Sequence, residues 1–197
     1  MSEYNLKTGD ILLFSYQGNS IFSSFIKYFT GSQITHVGMV LKDPDFIQPS
    51  LKGYYVWESG IENEPDPQDN IKKLGVQITP FDEIFETYSS TNSEIYVRRV
   101  DSSENFTNET LQKIHKVVYE KPYDLVPKDF YEALEKKDDE PQKTSRFWCS
   151  ALLGYIYTQC EILNKDTDWS ILFPKDFSSE STTLEFKIPL SDDIKIL

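Results

Sequence analysis

A chain of 197 residues, 39% hydrophobic and 14% aromatic, is long enough to bury one core without disulfides and too apolar for intrinsic disorder. Its formal net charge of −12 argues against nucleic acid, whose phosphates need a basic surface, and weakly against adsorption on anionic lipid. The stretch Met1–Asp10 is polar where a signal peptide would be apolar, and no run approaches the ~20 apolar residues of a spanning helix. A soluble, cytoplasmic protein is therefore expected. The triplets Asn105-Phe106-Thr107 and Asn108-Glu109-Thr110 then read as chance rather than glycosylation sites.

In chain order, Asp10–Tyr16 is the first strand-length apolar run. Ile21, Phe22, Phe25, Ile26 and Phe29 follow at helical spacing, closed by Gly31, a stripe read as core and alternatively as an acyl-binding wall. Thr35–Leu41, Tyr54–Gly60 and Gly75–Thr79 read as strands, and residues 61–70, acidic with Pro65 and Pro67, as a loop. Phe81–Tyr88 is expected as a short helix and Glu94–Val100 as a strand. Asn108–Glu120 is expected as a helix burying Leu111, Ile114, Val117 and Val118. Its His115 reads as a surface or packing histidine. Pro127–Lys136 reads as a further helix, 136–145 as a charged connection able to act as a lid, and Leu184–Ile188 as the last strand. No repeat or interdomain linker is evident, so the pattern is a single α+β domain, residues 1–197.

The segment Arg146–Tyr155 turns a polar stretch into an apolar rod with Cys149 in its first turn. A thiol there faces the unpaired N–H groups and positive dipole end of the helix, surroundings that favour thiolate. The plain alternative is that Cys149 is a small buried hydrophobe. The other cysteine, Cys160, lies 11 positions on, about 16 Å along a helix at 1.5 Å per residue, beyond disulfide reach. Two free thiols suit a reducing compartment.

Thiol chemistry needs an imidazole to carry the proton and a polar group to orient that imidazole. Of the 2 histidines, His36 opens an apolar strand. Glu58, in the next strand, either orients it or faces water, and residue alternation permits both. Metal ligation is not expected, since no second thiol or histidine sits at zinc spacing, and no glycine-rich phosphate loop is present. No cofactor is implied.

Five motifs in one order carry a resemblance: Leu6-Lys7-Thr8-Gly9-Asp10-Ile11-Leu12-Leu13, Thr35-His36-Val37-Gly38-Met39-Val40, Trp57-Glu58-Ser59, Lys121-Pro122-Tyr123-Asp124 and Phe147-Trp148-Cys149-Ser150. Together they resemble the circularly permuted branch of the NlpC-type, papain-like cysteine hydrolases, which includes YiiX-like and YaeF-like bacterial proteins and a poxvirus group. Lecithin:retinol acyltransferase is a more distant relative. The resemblance spans about residues 6–163. It implies a permuted papain-like fold, a mostly antiparallel sheet packed against the helix that carries the cysteine. It also implies Cys149 as nucleophile, His36 as general base and acid, and Glu58 as the residue orienting the imidazole. Tyr123 falls on the oxyanion side with the Cys149 backbone N–H, or is a turn aromatic packing on the core. Trp148 stands where the relatives carry a smaller aromatic, implying a narrower cleft, and the loops at 61–70 and 136–145 match no motif.

The expected activity is amide hydrolysis of a peptide or peptidoglycan-type bond through an acyl-enzyme. Acyl transfer or lipid ester cleavage by the same site, with Phe22, Phe25 and Phe29 lining an acyl groove, is one alternative. A catalytically silent structural or virion-associated protein is the other. The poxvirus affinity extends the expected location to a host cytoplasm or a virion.

Overall fold

A computed structural model of the chain describes residues 4–18, 31–61, 64–124 and 144–197. The aromatic stripe at 21–29, the helix expected over 127–136 and most of the charged connection 136–145 lie outside the described residues.

Strands β1 (Ile11–Ser15), β2 (His36–Lys42), β3 (Tyr54–Ile61) and β4 (Leu74–Pro80) come first, followed by helix α1 (Phe81–Ser90) and strand β5 (Glu94–Arg98). Helices α2 (Asn108–Val118) and α3 (Cys149–Gln159), the two-residue strand β6 (Ile194–Lys195) and short 3-10 turns at Ser103–Asn105, Trp169–Ile171 and Pro174–Phe177 complete the regular elements among the described residues. The strands form one sheet in the order β4-β3-β2-β1-β5-β6, every neighbouring pair antiparallel. The expected α+β class and the mostly antiparallel sheet are thus observed.

Alternation along the strands divides the interior in two. Ile11, Leu13, Val37, Met39, Trp57, Val76 and Ile78 face a large core shared with α2 and α3. Leu12, Phe14, Val40, Val56, Ile95 and Val97 face a smaller one closed by Phe81 and Ile84 of α1. Helix α3 is apolar all round and is buried from Cys149 through Thr158, as a helix without a polar face must be.

The strand expected at Leu184–Ile188 is corrected. That segment lies outside the sheet: Lys187 N donates to Ile162 O at 2.9 Å, and Leu184, Phe186 and Ile188 pack on the larger core. Its period-two pattern is real, but the edge of β5 is taken by Ile194–Lys195 instead. Helix α2 stops at Val118, two residues short of the expected end. Beyond it Tyr119 is extended and Glu120 takes a left-handed backbone, φ 62°.

His115 is a packing residue. Its ring stacks on Tyr119 with centroids 5.0 Å apart, sits beside Phe46 and Trp57, and its Nε2 donates to Gln68 Oε1 at 2.5 Å. Gln68 also donates to Asp66, which pairs with Lys73 at 2.8 Å, so α2 is tied to the chain ahead of β4. Burial, reinforced by the Lys73 charge, lowers the His115 pKa from 6.5 to about 4. In an unfolded chain the ring regains its ordinary value. The native state therefore gains stability from a neutral His115 above pH 6.5 and loses that gain as pH falls toward 4. Melting curves should record a drop in stability over that interval, and His115→Phe, which keeps the stacking, should flatten it by a few degrees. An identical drop in the variant would mean that other groups cause it.

Candidate active site

The chain entering α3 is strand-like until the residue before the cysteine. Phe147 N donates to Pro122 O at 3.1 Å, and Phe147 O accepts from Asp124 N at 3.2 Å and from the buried Ser59 hydroxyl at 2.6 Å. Trp148 is extended (φ −84°, ψ 173°), and helix α3 begins at Cys149. The sulfur therefore stands on the first helical residue, where backbone N–H groups have no partner within the helix and the dipole is positive. Cys149 is 2% exposed.

His36 is the first residue of β2, and Glu58 lies on β3. Both fall on the face of the sheet that Val40 and Val56 occupy. Gly38 makes their approach possible: a Cβ there would lie 2.5 Å from Val56 Cγ1 and 3.4 Å from Glu58 Cβ. His36 Nε2 donates to Glu58 Oε2 at 2.5 Å, with 19% of the histidine side chain exposed and 1% of the glutamate's. The Cys149 side chain is within hydrogen-bonding reach of the same ring. With Nε2 taken by the carboxyl, Nδ1 is the nitrogen left for the sulfur. The reading in which Glu58 faces water is thus set aside. Glu58 Oε1 is buried and has no hydrogen-bond partner among the described residues, so the imidazole is the group that answers this carboxyl.

Burial alone would lower the His36 pKa. The Cys149 sulfur, by charge and hydrogen bond, and then Glu58 outweigh that penalty and raise the value well above the ordinary 6.5. The ring so placed lies between a sulfur and a carboxyl, both of which favour its protonated form. Such an arrangement can hold a thiolate, and it can deliver a proton to a leaving group.

Tyr123 reaches the site through a close crossing. Tyr123 N donates to Leu74 O at 3.2 Å and Val76 N to Lys121 O at 2.9 Å, which lays residues 121–123 along the outer edge of β4. Gly75 permits this: its φ is +151°, and a Cβ would fall 2.3 Å from Lys121 O. Burial, then the nearby Cys149 and Asp124, push the Tyr123 phenol well above 10, so it stays a neutral donor. All four residues singled out in the sequence, Cys149, His36, Glu58 and Tyr123, converge here.

Ser59 was not singled out, although Trp57-Glu58-Ser59 was among the motifs. The signal was a polar residue next to Glu58 on the strand face otherwise occupied by Trp57. Among the described residues no group of three His, Cys, Asp or Glu side chains is arranged to hold a metal ion, and no helix is long and apolar enough to cross a membrane.

The fold and site together define an α+β protein with a Cys–His–Glu cluster at a helix start. No family model matches the chain. It is similar to an uncharacterized protein of Acanthamoeba polyphaga mimivirus, 30% identical over 130 residues, an overlap covering 59% of this chain and 49% of that protein. The chain thus spans about half the length of the curated relative it matches.

A proton NMR titration should show His36 well above 6.5 and His115 near 4. Cys149→Ala should lower the His36 value more than Glu58→Gln does, following the order of the two influences. An ordinary His36 titration in the wild type would show that the three groups are not coupled in solution.

Proposed function

We propose that this protein is a thiol hydrolase of the permuted papain-like type, cleaving an amide bond of a peptide or peptidoglycan-type substrate through an acyl-enzyme at Cys149. What carries the reading is one imidazole hydrogen-bonded to the Glu58 carboxyl and within hydrogen-bonding reach of the Cys149 side chain, which stands at the start of a buried helix. The order of the motifs, with the histidine strand before the cysteine helix, supports the permuted branch.

In the first half-reaction the Cys149 thiolate attacks the carbonyl carbon and a C–S bond forms. The oxyanion lies toward the Cys149 N–H and the Tyr123 hydroxyl. The C–N bond then breaks as the His36 ring gives its Nδ1 proton to the departing amine. In the second half His36 takes a proton from water while the resulting hydroxide adds to the thioester. The C–S bond breaks, the acid leaves, and the thiolate–imidazolium pair is restored. Glu58 holds Nε2 throughout and keeps the ring turned to the sulfur.

A polar groove of about 800 Å³, lined by Gln33, Ile34, Ser15, Glu94 and Ser178, lies next to the strand that His36 opens, but Cys149, His36, Glu58 and Tyr123 do not line it, so the amide reading rests on the site residues themselves. The lipid reading draws on a different feature. Phe14 stands 5.4 Å from the His36 ring and 4.9 Å from Tyr88, which is 5.6 Å from Tyr16, a run of aromatic rings leading away from the imidazole.

Iodoacetamide applied across a pH series should alkylate Cys149 faster than Cys160, and at lower pH, because burial pushes the Cys160 thiol to about 12. Equal rates would remove the activated nucleophile. Acyl probes on peptide and lipid carriers separate the substrate classes. Labelling of Cys149 by the peptide probe is expected, slowed by roughly 10²–10⁴-fold in His36→Ala. Labelling by the lipid probe alone would move the assignment to acyl transfer or lipid cleavage, and labelling by neither would overturn the hydrolase.

A further inference from the structure

Two successive residues of β3 serve the two halves of the site. Side chains alternate across a strand, so Glu58 and Ser59 leave on opposite faces. Glu58 holds the imidazole. Ser59, wholly buried, donates its hydroxyl to Phe147 O at 2.6 Å, bridging 88 positions of sequence to a point two residues before the nucleophile.

Packing does not explain a hydroxyl at that position. The neighbours on its face, Trp57, Val76 and Phe147, belong to the larger apolar core, where alanine or valine would bury equal or greater apolar surface. A polar group in such a layer is tolerated only because it is bonded, and its acceptor is the backbone that delivers Cys149. The other bonds to Phe147 come from Pro122 and Asp124, and that stretch is itself carried on the outer edge of β4. The Ser59 bond instead ties the entry to α3 directly to the strand that orients the base.

Building on the hydrolase reading above, we propose that Ser59 is a positioning residue for the nucleophile. By holding the Phe147 carbonyl it fixes where helix α3 starts, and with it the distance from Cys149 to the imidazole. Glu58 sets the ring, Ser59 sets the sulfur, and adjacency in one strand keeps the two settings in register.

The test uses the full chain with Ser59→Ala and Ser59→Thr, reading both thermal melting and the rate–pH profile of Cys149 alkylation. Ser59→Ala should shift the profile up by about one pH unit, a loss of about tenfold in rate below neutral pH. Ser59→Thr keeps the hydroxyl and should follow the wild-type profile even if its added methyl lowers the melting temperature. A Ser59→Ala protein that melts earlier yet retains the wild-type profile would assign the bond to stability alone and overturn the proposal. If Ser59→Ala does not fold, the threonine variant still decides, since a shifted profile with the hydroxyl present contradicts the assignment. A wild-type Cys149 no more reactive than Cys160 removes the hydrolase reading and this proposal together, whereas an activated wild type with an indifferent Ser59→Ala removes this proposal alone.

Discussion

The buried carboxyl of Glu58 is the constraint on which the rest of the site depends. A carboxyl taken from water needs hydrogen-bond donors, and only the His36 ring supplies one to Glu58 among the described residues. The ring is thereby fixed in plane and in tautomer, and its second nitrogen has one direction left to face. The sulfur completes the line. A group that is costly to bury holds another group in an orientation it would not keep alone.

The fold supports that line through close approaches that no side chain occupies. Gly38 lets β2 and β3 bring His36 beside Glu58, and Gly75 lets residues 121–123 lie along β4 so that Tyr123 arrives near the sulfur. Helix α3, buried on all sides, has little freedom to slide, so the place where it starts is inherited from the backbone bonds of Phe147. Rigidity at this position is bought with polar contacts inside an otherwise apolar layer.

Much of this was legible beforehand because it is local. Strand-length runs such as Asp10–Tyr16 and the break at Pro122 carry their own signals. The helix at Cys149 announced itself by the change from polar to apolar residues. The roles of His36 and Glu58 required a likeness to a known family, since whether Glu58 meets water or a ring depends on strand register, which alternation alone leaves open. Two features were hidden for a physical reason. Residues 184–188 alternate like a strand, yet whether they join a sheet depends on a vacant edge, a property of the whole fold. Ser59 was obscure because its partner is a main-chain carbonyl, and a carbonyl is the same at every position in a sequence.

The order of the parts along the chain also matters for synthesis. A ribosome delivers β2 and β3 long before α3, so the histidine and its carboxyl can pair while the cysteine is still untranslated. Closing the 88-position span from Ser59 to Phe147 is a long-range event of the kind that comes late in folding. Until then Cys149 and His36 stay apart, so on the proposed hydrolase function the reactive pair would form only as the fold is completed.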